Sequence, residues 1–112
     1  MIYSLDKINE MAEGDDEFIV SVISVFLEEV PADIEALGIA LEEMNYNQVY
    51  NLAHKIKPNV DLLGMEQTRA IALEIETLGK NKAGIEEMKK VFPILKTDIA
   101  QVVSELKKDF NL

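Results

Sequence analysis

The chain holds one histidine in 112 residues, His54, within Ala53-His54-Lys55-Ile56-Lys57-Pro58-Asn59-Val60-Asp61-Leu62-Leu63-Gly64. Lys55 and Lys57 are the first basic residues after Lys7. A free imidazole has a pKa of about 6.5, so an exposed histidine is largely neutral and nucleophilic near neutral pH. A lysine three residues further on lies one helical turn away, on the same face. Its ammonium can give a charge-assisted hydrogen bond to a phosphoryl group carried on the ring. The chemistry these types and this spacing suit is therefore phosphoryl acceptance at a histidine nitrogen.

The element that must present this chemistry is a helix. At about 100° per residue, Val49, Leu52, Ala53, Ile56, Val60 and Leu63 form one apolar stripe. His54 falls roughly 150° from the centre of that stripe, on a flank with Tyr50, Lys57, Pro58 and Asp61. Asn45 or Asn47 suits the N-cap. Gly64 suits the left-handed C′ position, which accounts for it without any chemistry. Two plainer readings compete: His54 as one more solvated residue, and Lys57 as a partner of Asp61 four residues on.

The other elements follow from the same periodicity. Leu5 to Ala12 reads as a short helix with Ser4 as cap, buried through Leu5, Ile8 and Met11 or Ala12, and ended by Gly14. Asp15-Asp16-Glu17 then place negative charge at a new helix start, where the helix dipole favours it. That long helix runs from about Asp15 to Met44, with a stripe of Phe18, Val22, Val25 or Phe26, Val30, Ile34, Leu37, Leu41 and Met44. Pro31 falls inside it, which predicts a bend or two abutting helices; the unbroken phase favours the bend. A fourth helix spans about Gln67 to Leu78, with Ile71, Ile75 and Leu78 inward, Gly79 as its stop and Lys80 to Ala83 as the connection. The last, about Gly84 to Lys108, repeats Ile85, Met88, Phe92, Leu95, Ile99, Val102 and Leu106 in alternating steps of three and four. That spacing is the seam of left-handed bundle packing. Pro93 should kink this helix, and Lys107-Lys108 complement its C-terminus. Residues 1–112 thus read as a single all-α domain: an antiparallel up-down-up-down four-helix bundle with an extra short N-terminal helix.

Composition narrows the function classes. No cysteine is present, which excludes disulfides, thiolate zinc sites and a cysteine nucleophile. A net charge of −10 disfavours nucleic acid and anionic membranes as partners. No Lys or Arg occurs between Lys7 and Lys55, so the potential at His54 is set by Lys55 and Lys57 against an acidic background. Met1 to Asp6 lacks the positive and apolar regions of a targeting segment. Phe18 to Leu27, the longest uncharged apolar run, is about half the roughly 20 residues a membrane span needs. A cytoplasmic protein is expected. No second histidine, glycine-rich loop or metal-ligand spacing converges on His54, which leaves enzyme and metal readings unsupported.

His54, Lys57 at plus three and Gly64 at plus ten, inside an apolar-periodic helix of a five-helix chain, resemble histidine-containing phosphotransfer (HPt) domains. The resemblance runs from Leu5 to about Leu106. It implies a phosphorelay intermediate that accepts a phosphoryl group on His54 from a receiver-domain aspartate and passes it to another receiver, with Lys57 stabilising the phosphate. It implies no cofactor of its own, Mg²⁺ in the partner receiver, no autonomous kinase activity, and response-regulator receivers and a hybrid sensor histidine kinase as partners. A monomer is expected. Pro58 departs from the glycine often found there, and its missing N–H should loosen the helix at His54; Asp61 is larger and more acidic than the family's usual residue. The docking surface is expected around His54, joined by the short first helix and the start of the long one, on the side left uncovered by the fourth and fifth helices. The alternative is a non-catalytic acidic interaction bundle in which His54 is incidental.

Overall fold

Apolar residues at helical spacing, separated by short turns, leave one economical solution, in which each helix buries its stripe against the others. The computed structural model describes residues 2–112; Met1, at the head of the stretch read for a targeting segment, lies outside them. Five helices are present among the described residues, and no strand: α1 Asp6–Ala12, α2 Asp16–Glu42, α3 Tyr46–Leu62, α4 Glu66–Lys80 and α5 Ile85–Phe110. Packing runs α2 on α3, α3 on α4, α4 on α5 and α5 back on α2, with α1 against α2. This is the expected all-α antiparallel bundle with a short helix at one end. Among the described residues, no helix is long and apolar enough to cross a membrane.

The helix starts obey capping chemistry. Asp15 accepts the Phe18 N–H at 3.2 Å, and Asn45, not Asn47, accepts the Gln48 N–H at 3.2 Å. Leu5 occupies the cap position of α1, while Ser4 Oγ takes the Asp6 N–H at 3.2 Å. One core runs through the bundle, its fully buried large side chains including Ile8, Ile23, Leu37, Ile56, Ile75, Leu95 and Leu106. Each contributes about 1.5–3 kcal/mol of apolar transfer.

The structure decides between two pairs of alternatives and changes two expectations, those for Met44 and Gly79. On α2 the inward residue is Phe26, and Val25 is exposed. Met44 is exposed too, because the chain leaves the helix at Glu42 and Met44 takes a left-handed φ of 54° in the turn. On α1, Met11 is exposed and Ala12 buried. Gly79 does not stop α4: it lies inside the helix at its contact with α3, and α4 continues to Lys80. Prolines 31, 58 and 93 all lie inside helices that run on through them.

The N-terminal segment ahead of α1 crosses the turn after α3. Ser4 N–H donates to the Leu63 carbonyl at 2.7 Å, and Gly64 beside it has a φ of +67°. A Cβ at Gly64 would meet the Ser4 Cβ at 3.0 Å, so glycine serves both the turn and the crossing. Tyr3 is buried, and its hydroxyl donates to Asp109 at the end of α5 at 2.5 Å. Burial first, then Asp109, pushes the Tyr3 hydroxyl up to about 12.

Candidate functional site

The predicted helix phase carries His54 to the surface: its side chain is 61% exposed, while Ala53 and Ile56 beside it are fully buried. Tyr50, one turn earlier, stacks on the imidazole with centroids 5.7 Å apart and planes 12° from parallel. His54 does not lie on a side clear of α4. Its Nδ1 sits 2.7 Å from Oε2 of Glu76 on α4, a carboxylate only 7% exposed.

Lys57 reaches the same carboxylate, with Nζ 2.6 Å from Oε1 and 3.3 Å from Oε2. It therefore pairs with Glu76 and not with Asp61. Asp61 instead takes Lys7 of α1 at 3.0 Å and Arg69 of α4 at 3.3 Å. Burial alone would push the Glu76 carboxyl up. The hydrogen bonds and charges of Lys57 and His54 outweigh it and hold Glu76 below the ordinary carboxylate range.

That balance decides the state of the ring. An ionised carboxylate is acceptor-only, so the imidazole nitrogen facing Glu76 carries the hydrogen and donates it. The lone pair is then left on Nε2, the nitrogen free of Glu76. Stacking on Tyr50 and the bond to Glu76 together fix the plane and the tautomer of the ring.

Gly79 explains how α4 comes close enough. A Cβ there would stand 3.0 Å from the Tyr50 backbone nitrogen and 3.1 Å from Val49 Cγ1. Glu76, one turn earlier on α4, can thus meet His54 and Lys57 directly. Pro58 lies inside an unbroken α3; it lacks the N–H that the His54 carbonyl would have accepted. Gly64 and the chain ends of α3 sit away from the ring and act on the turn alone.

Sequence reasoning missed Glu76. The signal was a carboxylate on the buried stripe of α4, in phase with Thr68, Ala72, Ile75 and Gly79. The same signal marks Asp33 on α2, buried between Val30 and Leu37, with Oδ1 3.3 Å from Lys55 Nζ and Oδ2 without a partner. The Lys55–Asp33 pair also fixes the register of α2. From Asp15 to Asp33 is about 27 Å of helix, so the start of α2 does not border His54. The first helix is nearer, through the Lys7–Asp61 pair. Among the described residues, no group of three His, Cys, Asp or Glu is placed to hold a metal ion.

An antiparallel helical bundle thus holds one solvent-facing histidine against a buried carboxylate. The chain matches the Hpt domain family over residues 21–105 and belongs to that family. Searches of curated proteins and of solved structures return no match. Hpt domains are phosphocarrier modules of histidine phosphotransfer in two-component phosphorelays, and not kinases.

Proposed function

We propose that residues 1–112 act as one relay domain that accepts a phosphoryl group on Nε2 of His54 from a receiver-domain aspartyl phosphate and passes it to a second receiver. The observation that carries this is the 2.7 Å contact between His54 Nδ1 and the buried Glu76, on a ring whose other nitrogen is free of it. The Nε2 lone pair attacks phosphorus, the new N–P bond forms, and the P–O bond to the receiver aspartate breaks to release its carboxylate. The ring, still protonated at Nδ1, becomes cationic, and the Glu76 carboxylate stabilises that charge where it develops. The reverse sequence, with the aspartate of the next receiver attacking phosphorus, returns the neutral ring.

Lys57 keeps a donor beyond its two bonds to Glu76 and stands one turn from the ring, where it offsets phosphoryl charge. Mg²⁺ comes with the receiver, and a hybrid sensor histidine kinase feeds the relay, which works in the cytoplasm. No step calls for a cofactor of the chain's own or for kinase activity. The receiver docks on α3 and α4 around His54. There Tyr50, Pro58 and the 41% exposed Leu73 mix apolar area with the charged pairs.

The test is incubation with a phosphorylated receiver and Mg²⁺. One acid-labile, base-stable phosphate should appear on the wild-type protein and none on His54→Gln, while ATP alone labels neither. Labelling that persists on His54→Gln overturns the site.

A further inference from the structure

Diagonally across the bundle from His54, the seam between α2 and α5 is open. A cavity of about 410 Å³ is floored by Ile34, Gly38, Leu41, Phe92 and Pro93. A second of about 130 Å³ shares Ile34, Glu35 and Lys96 with it and extends the groove to Ile99 and Val103. Gly38 is what admits the ring of Phe92: a Cβ there would stand 3.2 Å from Phe92 Cζ. A glycine inside a 27-residue helix is less favourable than alanine, so this seat is held at an expense in helix stability. Beside it Ile39 is 59% exposed.

The rims of the groove differ in sign. The α2 rim carries Glu35 and Glu42, and the α5 rim carries Lys89 and Lys96. Glu35 and Lys96 meet within the chain only at 3.7 Å, with side chains 71% and 55% exposed, which leaves that pair free to exchange partners. An acidic or a basic segment laid in the groove would suit one rim and be repelled by the other. We propose that the occupant is a second copy of this chain, related by a two-fold axis parallel to the helices.

The charges select that axis. A two-fold along the bundle sets α2 of each copy over α5 of the other, at unchanged height. Glu42 then faces Lys89 of the partner copy, and Glu35 its Lys96. A two-fold across the bundle would instead stack α2 on α2 and bring carboxylates against carboxylates. The selected interface is isologous and closed; it covers both grooves and sets the exposed Ile39 of each copy towards α5 of the other. Both His54 rings stay outward, on opposite sides of the dimer. This proposal departs from the monomer expected from the chain read alone, and it rests on a groove visible only in the packed bundle.

Sedimentation equilibrium on the full chain tests this, independently of any phosphotransfer. A mass of twice 12.6 kDa should appear as concentration rises. Glu42→Lys alone or Lys89→Glu alone should weaken association roughly tenfold or more, since each change reverses two symmetry-related pairs. The two together should restore it, with helicity unchanged throughout because both positions are exposed. A single-chain mass up to about 1 mM overturns the dimer and leaves the groove to a partner of different sequence. A dimer indifferent to the single changes, or one not restored by the double, overturns this interface.

Discussion

Lys55 and Lys57 stand two residues apart on α3, and each reaches a carboxylate buried under a neighbouring helix, yet the two pairs are unlike. Lys57 and His54 together engage both oxygens of Glu76, at 2.6 to 3.3 Å. Lys55 meets one oxygen of Asp33 at 3.3 Å, and the other oxygen has no partner. Lys57 is 24% exposed and Lys55 51%. A buried carboxylate is costly unless its lone pairs are filled, and only Glu76 meets that condition. The difference teaches that burial of a charge near His54 does not by itself engage the ring. What matters is that one carboxylate closes on the imidazole and the other does not.

The sharpest way to break the comparison is to remove each carboxylate in turn. Glu76→Ala should slow phosphorylation of His54 by a phosphorylated receiver about 10- to 100-fold, the equivalent of one charge-assisted hydrogen bond of about 1.5–3 kcal/mol. Asp33→Asn should leave that rate within about twofold, because no ring atom depends on it. Equal losses in the two variants, measured in single-turnover transfer, would sink the distinction.

Separating α3 from α4 should have the next largest effect. Gly79→Val places new carbons against the Tyr50 backbone and should cost about 1–3 kcal/mol in denaturant unfolding. It should also slow transfer, because Glu76 moves away from the ring. Unchanged transfer in a destabilised Gly79→Val would mean that the helix spacing does not set the catalytic contact.

The lysines rank below these. Lys57→Ala should slow transfer by tenfold or less, as expected for an ion pair of about 1 kcal/mol or less, and Lys55→Ala should not slow it. A larger effect from Lys55 would reverse the assignment of the two pairs.

Acid provides the finest comparison. Glu76 is held below the ordinary carboxylate range in the folded state, so the folded protein binds fewer protons there than the unfolded chain. Its contribution is fully present above that ordinary range and is lost as pH falls through its folded value. Glu76→Gln should therefore lose less stability than wild type on acidification below about pH 5. Wild-type and Glu76→Gln curves that stay parallel would show that the pair contributes nothing to acid sensitivity.

Much of this molecule was legible in the chain itself. Helix number, the acidic start of α2, an asparagine cap for α3, the α5 seam and the outward turn of His54 depend on residues within one or two turns of each other. Local spacing therefore determined them. The apolar stripe with its phase offset was enough to expose His54, and Lys57 at plus three prompted the chemistry proposed above. What lay between helices was beyond reach. Glu76 is 22 residues from His54, and only the close approach at Gly79 joins them. Gly79 itself looked like a stop signal because glycine ends helices and also lets helices touch, and sequence does not distinguish the two uses. Lys57 took Glu76 over the nearer Asp61 because a buried carboxylate needs its partner more than an exposed one does. The opposed charges of Glu35 and Glu42 against Lys89 and Lys96 likewise became two rims of one groove only when α2 and α5 packed. Periodicity decides which face of a helix is buried; packing decides which neighbour that face meets.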